Sequence, residues 1–274
     1  MSTVINRPFL KWAGGKAKLA HRIAQVLPKA RCLVEPFVGA GSIFLNTDYE
    51  HYILSDINRD LINTYQQLKD QPKAFIADAA AFFVPENNTD SRFRELKEIF
   101  NTTGDQYEKA LLFIYLNRFC FNGLCRYNKN GQFNVSFGKY KAPYFPADEL
   151  AFFANKLSRA ELHCRSFEKA FYQMPDDCVI YCDPPYVPLS ETANFTSYSA
   201  DGFGAAHQRY LARLASNWQV PVVISNHDTQ FTRQLYKGAE MQFFDVQRSI
   251  STNGEKREKA KEVLALFADK QEAA

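Results

Sequence analysis

At 274 residues with 46% hydrophobic side chains, the chain is long enough for one large α/β domain with an insertion, or for two modest domains. A net charge of +3 is only a weak pointer to nucleic acid, so the distribution of charge matters more than its sum. Six cysteines with no C-x-x-C pair and no Cys/His ligand spacing argue against a metal or redox motif. No signal peptide is recognised, and the longest apolar run, Ala110 to Leu116, is too short to span a bilayer. The expectation is a soluble cytoplasmic protein with reduced thiols and no metal.

In chain order, the segment to Arg7 is expected to be loose. Phe9-Leu10-Lys11-Trp12-Ala13-Gly14-Gly15-Lys16 gathers aromatics, lysines and a glycine pair in one short stretch. Leu19, Ile23, Val26 and Leu27 predict a helix over 17–27, stopped by Pro28. Cys32 to Phe37 reads as a first strand, running into Val38-Gly39-Ala40-Gly41-Ser42, and Ile43 to Leu45 opens a helix. Tyr52 to Asp56 reads as a second strand ending in an acid, followed by a helix near 58–68. This order is that of a βαβ mononucleotide-binding unit.

Gly39 and Gly41 suggest close approach of a ligand to backbone. Phe44 occupies the third glycine position of the dinucleotide fingerprint, which disfavours NAD. Asp56 is suited to accept hydrogen bonds from ribose hydroxyls; the competing reading is a helix N-cap.

The middle of the chain differs in character. Residues 72–102 read as helical and polar, and Gln106 to Phe119 as an amphipathic helix. Phe121 to Pro146 has little periodicity and reads as an ordered functional loop or hairpin. From Arg118 to Lys141 the chain carries Arg118, Arg126, Lys129, Lys139 and Lys141 with no acidic residue. The sheet is expected to resume at Val179 to Cys182, Val220 to Asn226 and Phe243 to Ile250, with a helix near 207–217. His227 and Asp228 either shape a base pocket or cap a helix from Thr229. Gln247 to Gly254 predicts a late strand and loop with Arg248 facing ligand, followed by a charged tail from Glu255.

Asp183-Pro184-Pro185-Tyr186 directly follows the apolar run Cys178 to Cys182, at the strand end where open α/β sheets place ligands. The chemistry that fits this set is methyl transfer to an exocyclic amine of a nucleobase. That nitrogen is a poor nucleophile because its lone pair is delocalised into the ring. A carboxylate and a backbone carbonyl accepting its N–H bonds favour a pyramidal, more electron-rich nitrogen. Proline has no N–H and a fixed φ, so its carbonyl is held as a pure acceptor. The tyrosine offers a face for an extruded base. The bland alternative is an ordinary Asp-Pro turn.

Taken together in one chain, Phe9 to Lys16, Glu35-Pro36-Phe37 with its Gly-x-Gly loop, and the Asp-Pro-Pro-Tyr motif closely resemble the S-adenosylmethionine-dependent DNA N6-adenine methyltransferases of the Dam type. The resemblance runs from Phe9 to about Leu266 and preserves the motif order. It implies an α/β, Rossmann-like methyltransferase sheet interrupted by a mostly helical target-recognition domain with a β-hairpin. Residues 1–70 and 147–274 are then the two parts of the catalytic domain, and 71–146 the insertion.

The resemblance assigns S-adenosylmethionine to Trp12, Lys16, Glu35, Phe37, Gly39, Gly41, Ser42, Asp56 and Asp183, with catalysis at Asp183, Pro184, Pro185 and Tyr186. Physical chemistry agrees with parts of this: an indole face suits a sulfonium, and a lysine suits the cofactor carboxylate. The partner is double-stranded DNA, with no membrane and no obligate protein partner in evidence.

Within the insertion, Asn117 to Asn128 resembles the hairpin that reads GATC in this family. Arg126 is the bidentate reader of a guanine edge, and Lys11 the family's other base-reading residue. Phe121 stands where the family usually has tyrosine, as the wedge inserted into the gap left by the flipped base. Asn122 neighbours it, and Leu124 meets a thymine methyl. Ser136 replaces a proline common in the family, which puts one outer base contact in doubt. Arg118, Asn128, Lys139 and Lys141 are cast as phosphate contacts. The rival readings are an N4-cytosine methyltransferase, which usually has serine in place of Asp183, and a DNA-binding homologue that has lost catalysis.

Overall fold

The computed structural model describes residues 5–187, 202–247 and 259–268. A 3-10 turn, Ala17–Leu19, leads into α1 (Ala20–Val26). Then follow β1 (Cys32–Glu35), α2 (Ser42–Asn46), β2 (His51–Asp56), α3 (Arg59–Asp70), α4 (Pro72–Ala80), α5 (Asp90–Thr102) and α6 (Gln106–Phe119). After the 120–146 segment come α7 (Ala147–Leu157), β3 (Ala160–Cys164), α8 (Phe167–Tyr172), β4 (Cys178–Cys182), α9 (Ala205–Asn217), β5 (Val222–His227), α10 (Gln230–Leu235), β6 (Glu240–Gln247) and β7 (Lys259–Phe267).

The seven strands form one sheet in the order β3-β2-β1-β4-β5-β7-β6. The first five are parallel, and β7 and β6 are antiparallel additions. Because β1, β2, β4 and β5 run the same way, Glu35, Asp56, Asp183 and His227 all emerge at one edge. The chain order reverses between β1 and β4, which is where open α/β sheets hold ligands.

Strand periodicity sorts the core into two layers. Leu33, Val179, Tyr181, Val223 and Leu264 face a large cluster with the helices from α1 to α7. Cys32, Val34, Ile180, Cys182, Val222 and Ile224 face a smaller cluster with α8 and α9. The first cluster continues without a gap into the segment between the sheet halves, through Phe75, Phe93, Phe113 and Phe133.

Several sequence expectations need correction. The helix Gln106–Phe119 is not amphipathic: every residue from Ala110 to Phe119 is buried, Asn117 and Arg118 included. It is enclosed by α3, α4 and α5, so its polar residues turn inward to bind backbone instead of facing water. The segment before Arg7 is tied from Asn6 onward, where the backbone N–H donates to Asn46 and the side chain to the Leu45 carbonyl. The charged tail contains β7, inserted between β5 and β6. The late strand is Glu240–Gln247, and Arg248 lies outside the described residues. The hairpin at 120–138 holds its arms with isolated bridges, Cys120 to Phe137 and Tyr127 to Phe133, rather than regular strands. Among the described residues no helix is long and apolar enough to cross a membrane.

Candidate active site and nucleic-acid interface

A cavity of about 890 Å³ opens at the carboxyl edge of the parallel strands. It is lined on one side by Trp12, Glu35, Phe37, Gly39 and Asp56, and on the other by Asp183 to Tyr186. Lys16, Ser42, His227 and Glu262 also reach it. Gly41, expected at the cofactor, is instead buried at the N-cap of α2 with φ +73, packs against Phe153 and is not among the residues that line the cavity.

The glycine loop is fixed from both sides. The Gly39 N–H donates to Asp56 Oδ2 at 3.1 Å, and the Gly39 carbonyl accepts from the Tyr65 hydroxyl at 2.6 Å. Gly39 has φ +48, and a Cβ there would fall 2.9 Å from Trp12 Nε1. The glycine is therefore required both for its backbone angle and for the indole pressed against it. Asp56 Oδ1 accepts from the Asn58 N–H at 2.9 Å, while Asn58, not Asp56, caps α3 by accepting from Leu61. Burial raises the Asp56 carboxyl above the usual range.

Glu35 is 2% exposed, and its Oε1 is a buried acceptor without a hydrogen-bond partner among the described residues. Burial pushes its carboxyl up to about 8, with Asp183 adding to the rise and the Phe44 N–H and Lys156 opposing it. A buried carboxylate oxygen with nothing to accept calls for a donor or a cation in the cavity. Phe37 stacks on Phe167 with centroids 5.4 Å apart and meets Phe203 edge-on, forming an apolar, aromatic stretch of wall.

Asp183 is held by groups far from it in sequence. Its Oδ1 pairs with Lys16 Nζ at 3.0 Å and accepts from Ser225 Oγ at 2.8 Å. Ser225 in turn bonds the Tyr181 hydroxyl at 2.9 Å. Lys16, buried, also donates to the Gly14 carbonyl at 2.7 Å and stands 4.3 Å from the Tyr186 ring centroid. Among the described residues, both Asp183 contacts fall on Oδ1. Of the two proline carbonyls, that of Pro185 accepts from Gln208 at 2.8 Å, and that of Pro184 has no hydrogen bond among the described residues. The turn is closed by Asn226, whose Oδ1 accepts from the Val187 N–H at 3.0 Å, and by His227, whose Nδ1 bonds the Val187 carbonyl at 2.7 Å.

The basic hairpin lies beside the N-terminal motif. Asn117 joins them: its Oδ1 accepts from the Lys11 N–H at 2.8 Å, and its Nδ2 donates to the Lys11 carbonyl at 2.7 Å. Lys11 packs into the notch left by Gly123, where a Cβ would come within 2.3 Å of the lysine side chain. Its ammonium stands 4.2 Å from the Tyr140 ring centroid. Phe121 projects with 52% of its surface exposed, and Asn122 beside it adopts a left-handed φ of 54°. The Phe121 N–H donates to the Ser136 carbonyl at 2.8 Å, so wedge and Ser136 sit side by side. Leu124 is half-buried, and Lys139 is exposed with φ 53°. Arg126 is exposed, held by Asn134 through Nε at 2.8 Å.

Two residues expected on phosphates are placed otherwise. Arg118 is buried at the end of α6, with Nη2 donating to the Phe9 carbonyl and the guanidinium over the Tyr144 ring. Its charge braces the N-terminal motif and faces no open surface. Asn128 spends its side chain on the hairpin tip: Oδ1 accepts from the Asn130 and Gln132 N–H groups, and Nδ2 donates to Gln132 Oε1. An Asx-type turn, not a phosphate, satisfies it.

Sequence reasoning missed Asn117, Ser225, Gln208 and Glu262. Each acts through a partner remote in sequence, so no local motif marks it. Asn117 alone carried a signal, an amide directly after the apolar run Ala110 to Leu116.

The profile of the D12 class N6 adenine-specific DNA methyltransferases matches residues 12–250. The chain is 54% identical over 265 residues to the DNA adenine methylase of Vibrio cholerae serotype O1, covering 95% of this chain and 96% of that protein. It is 51% identical to that of Serratia marcescens, over 96% of this chain and 98% of the relative. With the Escherichia coli K12 DNA adenine methylase the identity is 50%, over 96% and 95%. An Asp-Pro-Pro-Tyr turn beside a glycine-loop cavity, a matching profile over most of the length, and full-length relatives at half identity lead to one assignment. The chain belongs to the D12 class N6 adenine-specific DNA methyltransferases.

Proposed function

We propose that this enzyme methylates N6 of adenine in double-stranded GATC, using S-adenosylmethionine and a target base flipped out of the duplex. The observation that carries the reading is the pinned Asp183: one carboxylate oxygen is saturated by Lys16 and Ser225, and the other is left for an amine beside the Pro184 carbonyl. The GATC assignment is supported by the exposed Phe121 and Arg126 of the hairpin, by Lys11 packed against its Gly123, and by the names of the relatives. The segment 71–146 is read as the target-recognition insertion, and Ser136 as its outer base contact.

The cavity fits the cofactor. Its unpartnered Glu35 oxygen suits a cationic amine, the Asp56 carboxylate suits a ribose diol, and the Trp12 indole, seated against Gly39, lines the same cavity. When bound, S-adenosylmethionine supplies an electrophilic methyl group on a cationic sulfur.

The chain's own residues do the rest by position and electrostatics. Tyr186 offers a ring for the extruded base, with the Lys16 ammonium 4.3 Å from its centroid. Asp183 and the Pro184 carbonyl accept the two N–H bonds of the amine, which directs its lone pair toward the methyl. Ser225 and Lys16 keep the carboxylate from rotating away. No strong base is needed, since the nitrogen becomes acidic only after the new bond forms, and its proton then leaves.

The test is methyl incorporation into duplexes containing GATC or a scrambled site, alongside digestion of methylated plasmid by nucleases that differ in their response to GATC methylation. GATC alone should be modified, and Asp183→Ala should lose at least about a thousandfold in rate, the scale expected when a preorganised polar contact to the reacting atom is removed. Full activity in Asp183→Ala would falsify the mechanism, and modification of the scrambled site would remove the GATC assignment.

A further inference from the structure

Tyr186 leaves its turn to be caught by groups from three other parts of the chain. Its hydroxyl donates to Glu262 Oε2 at 3.0 Å. The His227 ring stands edge-on to it at 4.8 Å, and the Lys16 ammonium sits over it at 4.3 Å. Glu262 and His227 are direct cross-strand partners of β7 and β5, so one rung of the antiparallel ladder meets both the hydroxyl and the ring of the tyrosine. Glu262 is 8% exposed and lines the cavity.

These contacts divide the rotational freedom of the ring. The phenolic oxygen lies on the Cβ–Cγ axis, so a hydrogen bond to it fixes the direction of the side chain but not the ring plane. The plane is set by His227 at the edge and Lys16 over the face. A carboxylate is a strong acceptor for a half-buried phenol, and the bond keeps the hydroxyl turned from the base.

We propose that Glu262 is a positioning residue for the target base: it anchors Tyr186 so that an adenine stacked on the ring brings its amine to Asp183 and the Pro184 carbonyl. This rests on the reading of the site given above and extends it to β7, a strand that contributes nothing else to that set. The contribution is to the geometry of the flipped base, so it appears in the chemical step and not in affinity for cofactor or duplex.

The experiment uses the full chain with a GATC duplex under single-turnover conditions, and a parallel duplex carrying fluorescent 2-aminopurine at the target position. Glu262→Ala and Tyr186→Phe should each slow methyl transfer by about tenfold, the scale of one hydrogen bond to a charged group. Cofactor and duplex dissociation constants should stay at the parent values, while the fluorescence of the flipped 2-aminopurine changes as its stacking loosens. Glu262→Gln, which still offers an acceptor, should recover most of the rate. The double variant Tyr186→Phe/Glu262→Ala should lose clearly less than the product of the two single losses, because both break the Tyr186–Glu262 bond. A parental rate in Glu262→Ala, or losses that multiply in the double variant, overturns the proposal. Should Glu262→Ala not fold, Tyr186→Phe and Glu262→Gln carry the test, and a parental rate in Tyr186→Phe overturns it. Failure of the parent enzyme to methylate GATC is a separate result, which removes the underlying assignment instead.

Discussion

The sheet edge and the 120–138 hairpin are made of the same kinds of residue, polar and aromatic, yet they are held in opposite ways. At the edge, Asp183 is bound by Ser225, which is 42 positions away, and Tyr186 by Glu262, which is 76 away. In the hairpin, Arg126 is bound by Asn134 at a separation of 8, and Asn128 by Gln132 at a separation of 4. The edge thus inherits the rigidity of the whole sheet. The hairpin is anchored on its inner side, where Tyr127 donates to Asp60 and Phe133 exchanges hydrogen bonds with Asn101, while its outward side chains Arg126 and Asn128 are held by near neighbours. Methyl transfer needs dipoles fixed before the substrate arrives. Reading a duplex needs charged and apolar groups that are available to it, such as the exposed Arg126 and Phe121.

The strongest way to break the comparison is to disturb the edge without touching the hairpin. Gly39→Val sets a branched side chain where a Cβ already meets Trp12 at 2.9 Å, on a backbone with φ +48. Overpacking and strain together put the expected loss of cofactor affinity at about a hundredfold or more. Equilibrium binding of S-adenosylmethionine measures it, and nonspecific duplex affinity should be unchanged. If cofactor affinity is retained, the glycine loop is not part of that site.

Two arginines sharpen the contrast, because the same residue type serves each region. Arg118→Ala removes a buried side chain and strands the Phe9 carbonyl, so it should destabilise the fold by about 2–3 kcal/mol. The salt dependence of DNA binding should not change. Arg126→Ala should leave the melting temperature alone and cost about 1–3 kcal/mol of discrimination at one base position. Denaturant titration and competition between duplexes substituted base by base separate the two. Swapped outcomes would reverse the roles of the two side chains.

What was legible in the sequence follows the same divide. The strand, glycine loop and acid-ended strand could be read because each is local: the spacing of Gly39, Gly41 and Asp56 carries its own geometry. Asp183 to Tyr186 could be read for the same reason. The burial of α6 was not, because the residues that enclose it come from α3, α4 and α5 and leave no mark on its own pattern. Nor was β7, whose Lys259–Phe267 stretch begins charged and becomes a strand through pairing with β5 and β6. Arg118 and Asn128 were misjudged together, since charge and polarity in a basic segment do not distinguish a side chain facing water from one bound to a nearby carbonyl or turn. Residues 147–172 carry α7, β3 and α8 with no motif to announce them, although β3 completes the parallel sheet beside β2.

The smallest effect tests the hairpin from its outer side. Lys139 is exposed, holds a left-handed φ of 53° and makes no ion pair among the described residues. A lysine that contacts phosphate contributes counterion release and carries no sequence information. Lys139→Gln keeps a flexible polar side chain, one bond shorter, and removes the charge. It should lower the slope of log affinity against log salt by about 0.9, the share of one neutralised phosphate, and should weaken GATC and scrambled duplexes alike. Arg126→Ala must differ from it by weakening the GATC duplex more than the scrambled one. A loss confined to GATC in Lys139→Gln would mean that the outer side of the hairpin reads bases, and the division between reading and register would then have to be drawn elsewhere on its surface.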